Sequence, residues 1–256
     1  MINKQPYTHN QKIPIQSFES ITLTNAALFF DLDGTLIDIA PTPDGVIIPS
    51  GLALLLIKLS QKVKGALAIN TGRSIRNVDA LLGIKLPISG LHGGQIRYNK
   101  DCMYKLKTSS RLLDAKKFLF DTISNVTGLV IEDKDEALAL HYRLVPNLRS
   151  KAEDLMKKAH HIAGNNYELQ KGQMVYELKP AGVSKATALH NFMQYSVFRY
   201  RRPICFGDDL TDEDMFGAAK HYGGFGVKVG NTAHPTLAIY RQTSPGELYQ
   251  WLESKV

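Results

Sequence analysis

The chain has 256 residues, of which 44% are hydrophobic and 21% charged, so it can bury a large core and is neither disordered nor fibrous. Its formal charge of +7 is spread thinly, and Arg199, Tyr200, Arg201 and Arg202 are too short a basic run for a nucleic-acid stripe. No stretch reaches the ~18 apolar residues of a membrane span, the first twenty residues carry no signal-like apolar run, and Cys102 and Cys205 form no metal-spaced pair. The expectation is a cytoplasmic chain with no nucleic-acid or membrane partner.

Residues 1–24 read as a lead-in segment. From Ala26 the run AALFF is fully apolar and stops at Asp31, Asp33, Gly34 and Thr35, as a buried parallel strand ending in a loop does. GLALLLIKLSQKV, after Ser50, has the length and leucine spacing of a helix. GALAIN predicts the next strand, leading into Thr71, Gly72 and Arg73, and SIRNVDALLG a helix stopped by Gly83. PISGLHGGQIRY follows as a strand with a glycine-rich loop. The repeating order predicts an α/β fold with a doubly wound parallel sheet.

The texture changes between residues 97 and 179. A helix near 110–124 precedes GLVIEDKDEALALHYR, where Leu138, Leu140 and Tyr142 alternate with Ala137, Ala139, His141 and Arg143 as in a half-exposed antiparallel strand. A second helix near 148–163 precedes YELQKGQMVYELKP, where Met174, Tyr176 and Leu178 alternate with Val175, Glu177 and Lys179. Helix, hairpin, helix, hairpin predicts a smaller α+β domain, 97–179, inserted into a core domain made of 25–96 and 180–256. After Pro180 the α/β rhythm returns: SKATALHNFMQYS as helix, PICFGDD as strand and acidic loop, DEDMFGAAK as helix and FGVKVG as a final strand.

The chemistry gathers at the ends of these strands. Asp31 and Asp33 stand two apart on a tight loop, Thr71 ends the second strand, and Asp208 and Asp209 end a later one, which in a parallel sheet puts them on one edge. Lys185 opens a helix, where a cation opposes the helix dipole and calls for an anionic partner. Glu213 and Asp214 read as helix capping, and Asp212 shares that reading. Hard carboxylate oxygens without His or Cys suit Mg2+ and a phosphoryl-transfer site.

DLDGT, Thr71, Lys185 and GDDLTDED, in that order, resemble the four motifs of the haloacid-dehalogenase superfamily of aspartate-nucleophile phosphatases. Further motifs, TGR, SGLHGG, ALHYR, VYELKP, GVSKATAL and GDDLTDEDMF, are similar to those of the trehalose-6-phosphate phosphatase family over about residues 26–250. The resemblance implies a core with an α/β cap, a sugar phosphate as substrate and Mg2+ as cofactor. It makes Asp31 the nucleophile and Asp33 the general acid and base, with Thr71 and Lys185 on the phosphoryl group. It also places the metal at Asp31, the Asp33 carbonyl and Asp208, with Asp209 in support. On the substrate side it implies Gly72, Arg73, His92 and Gly93 from the core and Glu132, Lys134, Arg143 and Glu177 from the cap. His141 reads as structural.

Each cap residue also has a plainer reading, as does His92 of the core: Glu177 as a solvated side chain on the polar face of its strand, Glu132 and Lys134 as an exposed turn pair, Arg143 as solvated, and His92 as a backbone hydrogen-bonder. Two departures stand out. Ala186 follows Lys185 where many members have Gly, and the FRYRRP run has no counterpart. Still open at this point are phosphatases of sucrose 6-phosphate or mannosyl-3-phosphoglycerate, a phosphohexomutase, a phosphate-accepting signalling module and an inactive sugar-phosphate sensor. Asp33 beside the nucleophile argues against the signalling module, because signalling needs no leaving-group acid. A monomer is the working expectation.

Overall fold

A computed structural model describes residues 18–99, 102–105, 109–231 and 234–256. In chain order the first part contains β1 (Ala26–Phe30), α1 (Leu52–Lys62), β2 (Leu67–Asn70), α2 (Ile75–Leu82), β3 (Ile88–Gly90), β4 (Gln95–Arg97) and β5 (Met103–Lys105). The middle contains α3 (Ser110–Ile123), β6 (Val130–Asp133), β7 (Leu138–His141), α4 (Arg149–Ala163), β8 (Tyr167–Gly172) and β9 (Val175–Pro180). The last part contains α5 (Lys185–Gln194), β10 (Arg202–Gly207), α6 (Leu210–His221), β11 (Phe225–Val229), β12 (Tyr240–Gln242) and α7 (Pro245–Glu253).

Eight strands form one sheet in the order β12-β11-β10-β1-β2-β3-β4-β5. From β12 to β3 every pairing is parallel, and β1 lies between β10 and β2, so its C-terminal end opens on the crevice where strand order reverses. Every residue of β1 and β2 is buried, which is why their sequences are unbroken apolar runs up to the polar edge. Phe30 lies beside Phe206 of β10 on one side and Ile69 of β2 on the other. Asp31 therefore leaves the sheet within one residue of the level of Asp208 and Thr71.

The core under this edge is aromatic. Phe30 stacks on Phe206 with ring centroids 4.6 Å apart, and Phe29, Phe192 and Phe198 pack together at 5.1–5.8 Å. Each fully buried phenylalanine contributes about 1.5–3 kcal/mol relative to an exposed one, so the strand ends rest on a stiff platform.

A second sheet, antiparallel in the order β6-β7-β9-β8, carries α3 and α4 on one face. Leu119, Leu138, Leu140, Met156 and Leu178 belong to its own apolar cluster, separate from that of the large sheet.

Several expectations need correction. The large sheet is not wholly parallel: β3 and β4 pair antiparallel across Leu91–Gly94, a connection too short for a crossover, and β5 adds to β4. The boundary expected at residue 97 thus falls inside the large sheet. Residues 1–17 lie outside the described residues, but the rest of the expected lead-in packs: Phe18, Ile21 and Leu23 are buried, and Phe18 meets Trp251 with ring centroids 4.4 Å apart. β11 is not the last strand, since β12 pairs with it before α7. Ala137 and Ala139 are fully buried; the face of β7 expected to meet solvent looks toward the large sheet.

Candidate active site

Asp31 is 6% exposed, and its Oδ1 lies 2.8 Å from Lys185 Nζ. Lys185 begins α5 behind the N-cap Ser184, whose side chain accepts from Thr187 N–H. Asn70 pins this helix start by donating from Nδ2 to the Lys185 carbonyl at 2.9 Å. The cation that opposes the helix dipole finds its partners in Asp31 and in Asp212, whose Oδ1 lies 2.7 Å from Nζ. Burial alone would lower the pKa of this ammonium; the two carboxylates outweigh burial and raise it above the ordinary lysine value.

The sequence offered Asp212 no role beyond helix capping. It lies one turn into α6 and does cap that helix, accepting from Asp208 N–H and Asp209 N–H at 3.0 Å each. Yet it is fully buried, and its other oxygen holds Lys185. The signal available in sequence was the cation at a helix start, which called for a carboxylate as much as for a phosphate.

Carboxylate oxygens of Asp31, Asp208 and Asp212 lie within 4.8 Å of one another. Gly34 makes this approach possible: its φ is +79°, and a Cβ there would stand 2.2 Å from Asp208 Oδ2. Burial, reinforced by Asp212, pushes the Asp208 carboxyl up to about 7. Burial likewise raises Asp31 well above the usual carboxylate range, against the pull of Lys185. Carboxylates this close resist ionising together, a repulsion that a divalent cation bound by hard oxygens removes. The donor set therefore fits such an ion. Asp209 is not one of these three carboxylates; its Oδ1 accepts from Leu210 N–H at 2.7 Å as the α6 N-cap.

Asp33 is held by Arg73, with Nε to Oδ2 at 2.6 Å and Nη2 to Oδ1 at 2.7 Å. The Arg73 backbone N–H donates to Thr71 Oγ1 at 3.2 Å, and its Nη1 to Asn77 Oδ1 at 2.7 Å. Arg73, expected on the substrate side, thus also ties the end of β2 to the loop after β1.

The small sheet faces this constellation. Register places Glu132, Ala139, Glu177 and Gln170 in one row across β6, β7, β9 and β8, on a shared face. Glu177 is 6% exposed rather than solvated. Its Oε1 accepts from Lys134 Nζ at 3.1 Å, and its Oε2 lies 3.4 Å from His92 Nε2. Burial pushes the Glu177 carboxyl up, but Lys134 and His92 together outweigh burial and hold it well below the usual range. Lys134 also donates to the Gly72 carbonyl at 3.1 Å, which joins the small sheet to the loop after β2. Glu132 accepts from His141 Nε2 at 2.9 Å, so the histidine read as structural has a defined role in fixing that carboxylate.

His92 sits in the left-handed region at φ 53°, and burial lowers its pKa against the pull of Glu177. Gly72 accommodates that ring: a Cβ on it would meet His92 Nε2 at 2.5 Å.

Asp31, Asp33, Thr71, Gly72, Arg73, His92, Glu132, Lys134, Arg143, Glu177, Lys185, Asp208 and Asp209 all line a single cleft between the sheets. Gly93 does not line it. It sits beneath the start of α5 at φ +111°, where a Cβ would stand 3.1 Å from the Ser184 carbonyl, so its part is to let that helix start approach. Sequence reasoning did not single out Gln170, Gln173, Thr211 or residues 39–42, which also line the cleft. Gln170 was legible only through strand register.

The family model described as trehalose-phosphatase matches residues 29–245. The chain belongs to the trehalose-phosphatase family. Within that family it is 40% identical to a probable trehalose-phosphate phosphatase of Sinorhizobium fredii over 82% of this chain and 80% of that protein. It is 37% identical to the trehalose-6-phosphate phosphatase of Escherichia coli over 89% of this chain and 85% of that one. Among solved structures, the C-terminal domain of the trehalose-6-phosphate phosphatase of C. albicans superposes with a TM-score of 0.77 at 25% identity, covering 91% of this chain and 94% of that one. A haloacid dehalogenase-like hydrolase from Bacteroides thetaiotaomicron shares the fold, with a TM-score of 0.60 at 17% identity over 90% of this chain and 98% of that one. Among the described residues of this trehalose-phosphatase family member, no helix is long and apolar enough to cross a membrane.

Proposed function

We propose that this protein hydrolyses trehalose 6-phosphate to trehalose and inorganic phosphate with Mg2+ as cofactor. The observation that supports this most is the opposition of two polar surfaces in one cleft: Asp31, Asp33, Lys185 and Asp208 on the large-sheet edge, and Glu132, Lys134 and Glu177 on the small sheet.

The Asp31 carboxylate attacks phosphorus, and the bond between phosphorus and the sugar oxygen breaks. The leaving alkoxide takes its proton from Asp33, which Arg73 orients. In the second step Asp33 removes a proton from water, the water oxygen attacks phosphorus, and the bond to Asp31 breaks, releasing phosphate. Thr71 and Lys185 hold phosphoryl oxygens in line. Asp31 and Asp208, with the Asp33 carbonyl, would hold Mg2+, which supplies positive charge to offset repulsion between carboxylate and phosphate. Glu132 and Glu177 accept from sugar hydroxyls and Lys134 donates to them. A disaccharide entering the cleft therefore exchanges contacts with a preformed polar row rather than with bulk solvent.

The test is phosphate release from trehalose 6-phosphate, sucrose 6-phosphate, glucose 6-phosphate and mannosyl-3-phosphoglycerate, with Mg2+ and with EDTA, for wild type and Asp31→Asn. Mg2+-dependent preference for trehalose 6-phosphate, abolished in Asp31→Asn, is expected. Preference for another substrate would refute the sugar assignment and leave the core chemistry standing. Release that persists in Asp31→Asn would refute the nucleophile. Glu177→Ala is expected to lower discrimination among the disaccharide phosphates while leaving p-nitrophenyl phosphate hydrolysis nearly intact.

A further inference from the structure

β11 reads FGVKV, and all five residues are buried. A lysine in such a strand costs several kcal/mol in lost hydration unless its ammonium finds partners. Lys228 lies beside Gly207 in the sheet register, one residue before Asp208. Its Nζ donates to the Asp208 main-chain carbonyl and lies 2.7 Å from His234 Nε2. An ammonium only donates, so Nε2 accepts and the ring proton is on Nδ1, which donates to the Pro235 carbonyl at 3.1 Å. The other side of this assembly is Glu213, whose Oε2 accepts from Leu237 N–H at 2.6 Å and whose Oε1 lies 3.9 Å from His234 Nδ1. Glu213, which read as helix capping in the sequence, thus anchors the segment after β11 to α6.

The consequence falls on Asp208. Its N–H is fixed by Asp212 and its carbonyl by Lys228, so the peptide groups on both sides are clamped. Its carboxylate is left to lie against the backbone of Gly34 and to face Asp31. Building on the metal-dependent reading above, we propose that Lys228 is a positioning residue for the cation site. It acts through the Asp208 backbone, with His234 and Glu213 holding the segment that confines its ammonium. The geometry also puts a fixed positive charge behind a cluster of carboxylates, on the side away from the cleft, where it lessens their mutual repulsion without competing for the cation's ligands.

The test is Mg2+ binding to metal-free protein, followed by calorimetric titration and by the Mg2+-induced rise in melting temperature, for wild type, Lys228→Met, Lys228→Arg and His234→Ala. Removing a group that orients a metal ligand weakens affinity by about 10- to 100-fold, and that loss is expected for Lys228→Met. Lys228→Arg is expected to retain part of the affinity, and His234→Ala to fall between wild type and Lys228→Met. Turnover of p-nitrophenyl phosphate by Lys228→Met should climb toward the wild-type value as Mg2+ is raised, which a merely structural role would not produce. Wild-type Mg2+ affinity in Lys228→Met would overturn the proposal. Should that variant fail to fold, unchanged affinity in His234→Ala would overturn it instead. Wild-type protein that binds no Mg2+ would remove the metal-dependent reading itself, a distinct outcome.

Discussion

Arg73 grips Asp33 through two parallel hydrogen bonds of 2.6 and 2.7 Å, so the proposed proton donor is oriented by a residue from a different strand end. A planar fork matched to a carboxylate is something lysine cannot reproduce. General acid and base assistance is worth about 100- to 10,000-fold in rate, and a misoriented Asp33 forfeits part of it, so Arg73→Lys should lower kcat by roughly one order of magnitude. Steady-state kinetics with p-nitrophenyl phosphate checks this, because the small leaving group makes no use of the sugar-facing wall. A change confined to KM would show that Arg73 binds substrate and does not orient Asp33.

Asp212 and Lys185 form a fully buried pair 2.7 Å apart. Removing one partner of such a pair typically costs about 3–5 kcal/mol. Asp31 remains 2.8 Å from the ammonium, and an asparagine oxygen can still accept the two amides that Asp212 serves. Asp212→Asn should therefore fall at the lower end, about 3 kcal/mol. Urea unfolding of the metal-free protein measures it, and a loss below 1 kcal/mol would mean that Asp31 alone satisfies Lys185.

Glu177 gives the folded state an acid-sensitive contact. Its carboxyl is held below the range of the unfolded chain, near 4.3 for glutamate, although burial works in the opposite direction. The stability it contributes is thus fully present above about pH 4.3 and is lost as pH falls through and below that value toward the folded pKa. Glu177→Gln should flatten the dependence of unfolding free energy on pH below about pH 4.3 and leave its slope above pH 6 unchanged. Parallel denaturation series from pH 3 to 7 decide it, and identical slopes in the acid range would exclude the contribution.

Gly34→Ala tests the seat of Asp208. The new methyl would fall 2.2 Å from Asp208 Oδ2 on a backbone at φ +79°, so overpacking and backbone strain add. A loss of about 1–3 kcal/mol in stability is expected, together with weaker Mg2+ activation because Asp208 is displaced. Activity titrated against Mg2+ checks the second effect; an unchanged half-saturation concentration would show that the carboxylate relaxes without leaving the site.

Much of this protein is legible in its sequence because parallel strands buried on both faces are unbroken apolar runs that stop where the polar edge begins. ALFF before Asp31, GALAIN before Thr71 and PICFG before Asp208 each announce a strand and the group it delivers, and β-α alternation places all three on one edge. The order of elements in the inserted segment follows from the same periodicity. What the sequence could not reveal are relationships between residues far apart in the chain. β12 and β5 are three-residue strands whose existence depends on the neighbours they pair with, and Phe18 counts as core only because Trp251 returns to meet it. Alternation in β9 put Glu177 on a polar face, but only the approach of Lys134 and His92 turns that face into a buried charged wall. Asp212, Lys228 and Arg73 carry no sequence pattern that names their partners; the tertiary structure brings each opposite an atom that burial leaves in need of one.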